Sequence, residues 1–453
     1  MRRLQAGLRQ LGRYPSAIVG FVVILSLIGL SAYTLVTIPY SEAIARWQGG
    51  QATWEEYPRN AAPVWVDWFN ARDLPRTIIQ RTQPASEGVT KSASTSDGIT
   101  EMTITIPVDY QADGFPKEIA VFLHAEFDVQ RPFVEMRWRT PDGREIPLVQ
   151  EGIGSSQRFN LSQNSNLQRR LGDVPPEVGL LSRSDASGTD AATVTPLKGR
   201  HELIINGVLF EDDADLNAKL VLYGQVHGLA GTDHRRRDLT LGLMWGTPIA
   251  LTFGGVTALG ATIFTFIIAA IGAWYRGWID AIIQRITEVN LILPVLVILI
   301  LIGVFYSRSI WVMMVVLIGL GIFSAGVKTY RALFLQVRES SYIEAAQSYG
   351  AGSWRVIWRY MLPRVVPTLI PQFVTLIPSY IFLEASLALL GLGDPLLPTW
   401  GKILNAAQQN GALFQGHYYW MIEPAVMLLV TGFSFAMFGF ALDRIFNPRL
   451  RVE

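Results

Sequence analysis

Long uncharged apolar stretches alternate with polar ones along this chain, and the longest of them set its organisation. No charge falls between Arg13 and Glu42, and the centre of that gap, about Ser16 to Ile38, is long enough to cross a hydrocarbon layer of about 30 Å. It exceeds the apolar core of a signal peptide, and no small-x-small cleavage site follows, so it reads as a retained first span. A second gap runs from Asp238 to Arg276, with Pro248 to Trp274 at its centre. Further uncharged windows cover Val289 to Ser307, Ser309 to Val327, Val365 to Leu383 and Pro424 to Leu442, which makes six predicted spans in all.

From Pro39 to Asp238 the pattern changes to that of a soluble domain. Trp47, Trp54, Tyr57, Trp65, Trp68 and Phe69 crowd its start, which fits either an aromatic belt at a membrane interface or anchors for the domain. Residues 81–98, RTQPASEGVTKSASTSDG, read as a flexible linker. Alternation and β-branched content predict strands over Thr100 to Tyr110, Ile119 to Asp128, Val134 to Arg139, Leu203 to Phe210 and Leu216 to Val226. Residues 151–196, polar and rich in Ser, Asn and Gly, read as loop with room for one short helix. The chain thus divides into a tail and first span over 1–38, a β-rich, sandwich-like insert over 39–238, and a helical core with five spans over 239–453.

Charge orients this arrangement. The formal net charge is +1, which leaves no bulk electrostatic case for nucleic acid. Acidic residues outnumber basic ones within 41–238, and the remainder of the chain is net basic. Lys and Arg concentrate in 1–14, 276–288, 328–364 and 443–453, so the positive-inside rule puts both termini and the 328–364 loop in the cytoplasm and the 39–238 insert outside the cell membrane. There is no cysteine, which excludes disulfides, Cys-ligated zinc, iron–sulfur clusters and thiol catalysis.

The most informative polar stretch is 344–363, EAAQSYGAGSWRVIWRYMLP. Its lettering predicts two short helices broken at Gly350, where Gly permits the turn. From Ser353 as N-cap, the second helix carries Trp354, Ile357, Trp358 and Met361 on one stripe and Arg355 and Arg359 on another, with Pro363 opening the next membrane helix. On these grounds alone it is an amphipathic connector at a membrane surface. The spacing of Glu344, Ala345, Ala346, Gly350, Leu362 and Pro363 resembles the "EAA" loop of permease subunits of ABC importers, with Tyr360 departing from the family's usual Ile and Met361 beside it. The resemblance implies a coupling helix that docks on a separate ATPase subunit.

Two further stretches resemble the dipeptide and oligopeptide permeases of that family. In 227–238, HGLAGTDHRRRD, residues Gly231, Thr232, Asp233, Arg237 and Asp238 match, whereas Ala230 is extra, Gly228 replaces Pro and Arg236 replaces Gly. Read without the resemblance, this is a juxtamembrane polar turn with its three arginines solvated or on lipid phosphates. In 383–401, LEASLALLGLGDPLLPTWG, residues Glu384, Ala385, Ser386, Leu387, Leu390, Gly391, Leu392, Gly393, Trp400 and Gly401 match. Counting from Arg364 puts Glu384 roughly 30 Å along its helix, at the outer interface, where a solvated carboxylate, a packing partner and a substrate contact all remain open. Ser379 and Tyr380, one turn deeper, join Glu384 as pore or outer-gate candidates, and Pro371 and Pro378 predict a bent fifth helix.

No catalytic motif stands out. Gly401 and Lys402 lack the Ser or Thr of a phosphate loop, since Ile403 follows and Leu396 holds the first Gly position, so ATP is not expected to bind here. Asp213, Asp215 and Asn217 open like a calcium loop, yet Ala218 stands at its turn Gly and Gly224 at its last Glu, so no metal is expected, nor any other cofactor. The resemblance, which covers about 227–450, implies an α-helical membrane protein with a type I ABC importer core, similar to the C-type dipeptide/oligopeptide permease subunit. It implies a homologous second permease, two cytoplasmic ATP-binding subunits, an extracytoplasmic substrate-binding protein, surrounding lipid, and peptides as cargo. Nickel chelates or oligosaccharides are the alternative cargoes, and a membrane-anchored extracellular sensor built on the insert is the alternative function.

Overall fold

A computed structural model describes residues 15–50, 52–70, 73–96, 99–183, 194–211 and 213–446. The basic stretch 1–14, the tail after 446 and residues 184–193 of the expected loop lie outside them. The chain forms two units, one containing everything up to Gln48 together with Leu241 onward, the other Gly49–Thr240.

Among the described residues of the first unit, four helices are long and apolar enough to cross a membrane: α1 (Pro15–Thr37), α3 (Leu239–Tyr275), α9 (Ser353–Leu392) and α11 (Tyr419–Phe446). A short helix α2 (Tyr40–Gln48) follows α1. Two bent pairs bring the number to six if each is one span: α4 (Gly277–Ile292) with α5 (Val295–Phe305), bent by 78°, and α6 (Ile310–Ile322) with α7 (Gly326–Arg338), bent by 44°. The uncharged window at Val289 to Ser307 is therefore not one straight helix. It breaks at Leu293, whose backbone is extended, and at Pro294, which has no N–H to continue the ladder. The break between α6 and α7 frees carbonyls that side chains then satisfy. Asn290 Nδ2 donates to Leu320 O at 2.9 Å and Phe323 O at 3.1 Å, and the Thr265 hydroxyl lies 3.0 Å from both Gly321 O and Ile322 O.

α8 (Ser341–Ser348) and α10 (Trp400–Gln409) complete this unit. α1 lies against α11 because Gly20 has no side chain; a Cβ there would stand 2.7 Å from Ser434 O.

Among its described residues the second unit holds nine strands: β1 (Ile78–Arg81), β2 (Thr90–Ser96), β3 (Ile99–Tyr110), β4 (Glu118–Glu126), β5 (Phe133–Arg139), β6 (Glu145–Gly152), β7 (Ser156–Asn160), β8 (Gly199–Leu209) and β9 (Asp215–Tyr223). They form two antiparallel sheets, ordered β1-β9-β4-β7 and β2-β3-β8-β5-β6. One core draws on both. Met102, Ile104 and Ile106 of β3, Val134, Met136 and Trp138 of β5, and Leu203 and Ile205 of β8 meet Ile119, Val121 and Leu123 of β4 and Leu216, Leu220 and Leu222 of β9. The expected linker at 81–98 instead holds β2, which pairs with β3 from Thr90 opposite Thr105 to Ser96 opposite Ile99, and the expected loop at 151–196 begins with the end of β6 and all of β7.

Three histidines of this unit are expected to make it acid-sensitive. Burial holds the imidazoles of His201, His227 and His234 below their ordinary value of 6.5, and His201 also stacks on Trp138 with ring centroids 5.7 Å apart. A group whose folded pKa is depressed binds more protons when unfolded, so stability falls as pH drops below about 6.5 and levels off beneath the depressed values. Thermal unfolding of the full chain between pH 7.5 and 5 is expected to show this slope, and His201→Phe to flatten it. A slope unchanged by that substitution would remove His201 from the account.

Candidate coupling and translocation site

The stretch around Glu344 is built as two helices meeting at a left-handed residue. α8 buries Ile343 and Ala346 and leaves Glu344 and Ala345 exposed. Gly350 takes φ +80°, the conformation that glycine adopts without strain; nothing lies within 4 Å of an added Cβ, so only the backbone requires glycine here. Its N–H donates to Gln347 O at 2.8 Å, and Ala351 N–H to Ala346 O at 3.0 Å, which closes the end of α8. α9 begins at Ser353 with Gly352 as N-cap, one residue earlier than expected. It then runs past Pro363 without restarting. A π turn over Ile357–Met361 precedes the proline, where the ladder lacks a donor.

The apolar stripe expected on the start of α9 divides in two. Ile357 and Met361 are buried with Val356, Leu362 and Val365, packed in one cluster with Phe266, Ala270 and Trp274 of α3 and Tyr330 and Phe334 of α7. Tyr349, Trp354 and Trp358 face outward at 93%, 57% and 54% exposure. The same cluster is braced by an ion pair that sequence reasoning missed. Arg331 of α7 binds Asp280 of α4 through both carboxylate oxygens, Nε to Oδ1 at 2.7 Å and Nη2 to Oδ2 at 2.5 Å. The Glu344 stretch is thereby packed in one block with α3 and α7, with α4 tied to α7 by the ion pair.

The pore candidates do not share one surface. Ser379 is exposed on α9, Tyr380 is half-buried, and Glu384, one turn on from Tyr380, is buried. The solvated reading of Glu384 is thus set aside, since its carboxyl is packed beside the Thr399 hydroxyl. That hydroxyl also accepts the N–H of Lys402 as the N-cap of α10. The matching residues around it serve the fold. Gly391 at φ +83° ends α9, and Gly401 lets α10 lie on α9, a Cβ there standing 2.7 Å from Ala385 O. Asp394 accepts N–H groups of Ile310 and Leu396 at 3.0 and 2.9 Å.

In the second unit, the 227–238 segment is folded tightly. Asp233 is buried and pairs with Arg237 at 2.6 Å, and the Thr232 hydroxyl donates to Pro58 O at 2.7 Å while accepting from Ala61 N–H at 2.9 Å. Of the three arginines only Arg235 is exposed, which corrects the solvated or lipid-bound reading. Arg236, at the family's glycine position, takes φ +68°. Its ion pair with Glu118, its 2.8 Å hydrogen bond to Tyr57 O and its stacking 4.2 Å over Tyr223 offset the strain of about 1 kcal/mol. Among the described residues no group of three or more His, Cys, Asp or Glu is placed to hold a metal.

A packed helical core, a polar two-helix connector with an apolar inner face, and close helix contacts at glycines are the frame of a multi-span helical membrane protein. The family profile described as "Binding-protein-dependent transport system inner membrane component" matches residues 245–452. The chain is 30% identical over 224 residues to the glutathione transport system permease protein of Pectobacterium atrosepticum, covering 49% of this chain and 72% of that one. It is 29% identical over 222 residues to a dipeptide transport system permease protein of Bacillus subtilis, covering 49% and 68%, and 28% identical over 220 residues to one of Lactococcus lactis, covering 48% and 63%. The chain belongs to this family of ABC transporter permeases and is a multi-pass membrane protein, a transport subunit of a kind that is not itself an enzyme. Residues 49–240 lie before the matched region.

Proposed function

We propose that this chain forms half of the translocation path of an ATP-driven importer for peptides. The observation that carries the reading is the division of the Glu344 stretch into a face fused with α3 and α7 and an aromatic face left open. In this account Glu344, Ala345, Ala346, Gly350, Leu362 and Pro363 belong to a cytoplasmic coupling loop, 328–364, that docks on one of two ATP-binding subunits. A second, homologous permease completes the path, and an extracytoplasmic binding protein delivers the cargo. ATP-driven closure of the ATPase pair moves the loop, and the packed block behind it alternates the path between outward and inward access.

The proposed topology counts each bent pair as one span, six in all, with both termini inside and the β-rich insert, read as a sandwich over 39–238, outside. Ser379 lines the path, and Tyr380 and Glu384 shape its outer gate from behind. Peptide cargo is supported by the relatives, two of which are dipeptide transport system permease proteins. Accumulation of a labelled tripeptide in membrane vesicles carrying the whole assembly tests the reading. Uptake is expected only with ATP and to vanish when this chain is deleted; uptake that survives the deletion would overturn it.

A further inference from the structure

Residues 295–322 form a helical hairpin, α5 and α6, and both of its legs are broken at the base. The leg from α4 breaks at Leu293 and Pro294 with a bend of 78°, and the leg to α7 breaks between Phe323 and Ala325 with a bend of 44°. Asn290 brings the two breaks together. It stands in the last turn of α4, where its carbonyl accepts the Leu293 N–H at 3.2 Å, and its side chain donates across to Leu320 O and Phe323 O in the other leg. Thr265 of α3 reaches Gly321 O and Ile322 O at the same joint.

One face seats the hairpin. Leu299 of α5 and Ile310, Met313 and Leu317 of α6 are buried with Phe253 of α3 and Leu387 and Leu392 of α9, while Phe305, Trp311 and Val315 stand exposed. At the tip, the Ile310 N–H donates to Asp394 Oδ2 at 3.0 Å. Tyr380, a gate candidate on α9, packs against the same cluster, and a Cβ on Gly321 would stand 2.9 Å from its hydroxyl. The joint with α7 is built so that its hydrogen bonds can be exchanged. The carbonyls of Leu320, Gly321, Ile322 and Phe323 take side-chain donors here, and among the described residues none of them accepts the N–H four positions on. A helix carried straight through the joint would give the same four carbonyls the N–H groups of residues 324–327. Both arrangements satisfy the same acceptors, so the angle can change at membrane depth without stranding a polar group.

We propose that residues 295–322 move as one flap during transport, hinged at 293–294 and at 323–325, with Asn290 and Thr265 as the positioning residues that hold it seated. The assignment rests on the importer reading and gives its alternating path a moving part. Seated, the flap backs Tyr380 on α9. Lifting it trades the side-chain donors at the joint for the N–H groups of the helix itself, parts the Asp394 contact at the tip, and removes the support behind Tyr380.

A disulfide across the seat tests this, since the chain has no cysteine of its own. A Cβ on Gly303 would lie 3.5 Å from Leu392 Cβ, within disulfide range, so Gly303→Cys with Leu392→Cys ties the flap to α9. In membrane vesicles carrying the whole assembly, ATP-driven uptake of a labelled tripeptide is expected to fall in proportion to the cross-linked fraction and to return on reduction, while oxidant leaves each single-cysteine variant unchanged. The rate of disulfide formation in the purified full-length chain in lipid nanodiscs reads the latch without any partner. Thr265→Val and Asn290→Leu keep the side-chain bulk and lose the donor, so each is expected to slow that rate several-fold, and Thr265→Ser, which keeps the hydroxyl, to restore it. Full uptake with the disulfide formed, a pair that does not cross-link, or a rate that neither Thr265→Val nor Asn290→Leu changes would each overturn the flap. Uptake untouched by the disulfide sinks this inference alone. No ATP-driven uptake before oxidation, with the rates behaving as expected, sinks the importer reading alone.

Discussion

Replacing Tyr349, Trp354 and Trp358 together by alanine is expected to reduce ATP-driven uptake by about tenfold or more while leaving the protein folded. The reason lies in the two faces of one short segment. Val356, Ile357 and Met361 hold it in the cluster with α3 and α7, and none of them changes in this variant. The three aromatics are the most exposed large apolar side chains around Gly350, on a stretch whose charges keep it out of the bilayer. Large aromatics dominate protein interfaces, so removing three removes the docking energy and little else. Ile357→Asp is the contrasting variant. It puts a charge into the cluster, and both folding and uptake should fail. Uptake at the unmodified level in the triple variant would mean that this face meets no partner.

Trp138→Ala is expected to have the largest effect on stability, about 3–5 kcal/mol. Trp138 is fully buried on β5, opposite Leu203 of β8 and Ile146 of β6, and its indole N–H donates to Leu180 O at 2.9 Å. Truncation opens a cavity between the two sheets, leaves that carbonyl without its donor, and removes the ring on which His201 stacks. Against an ordinary domain stability of about 5–15 kcal/mol, such a loss brings the insert close to unfolding. Hydrogen exchange on the full chain reads it directly. Amides of β3, β5 and β8 should lose protection together, while those of α3 and α9 keep theirs. A loss below about 1 kcal/mol would mean that the sheets close over the gap.

How legible the fold was depended on where each element sits. The five strands read from alternation are β3, β4, β5, β8 and β9, and all five are interior strands of their sheets. The four that were missed, β1, β2, β6 and β7, are the four edges. β2 shows why, since TKSASTS is exposed at every position and carries no apolar face to announce it. Its ladder with β3 holds it, and the exposed polar side chains of an edge strand discourage further pairing. In the membrane unit, hydropathy located the apolar windows but not the bends. The carbonyls freed there are satisfied by Asn290 and Thr265 across distances in sequence that periodicity does not sense.

The local form of the candidate site was legible by spacing, and its exposure was not. The turn at Gly350 follows from the residue itself, whereas the separation of Trp354 and Trp358 from Ile357 and Met361 depends on where α3 and α7 pack. Asp280 and Arg331, 51 positions apart, meet only in the fold. Glu384 is instructive in the opposite direction. Its position along a helix suggested water, but α10 folds back over it, guided by Gly391 and Gly401.

The chain has no cysteine, so a single one placed at Trp354 reports alone. The decisive measurement is therefore cross-linking from Trp354→Cys in native membranes with a short thiol-anchored photoreactive group, followed by mass spectrometry of the product. The account predicts an adduct with an ATP-binding subunit whose yield changes when ATP is added. Adducts with lipid or with copies of this chain alone would contradict it.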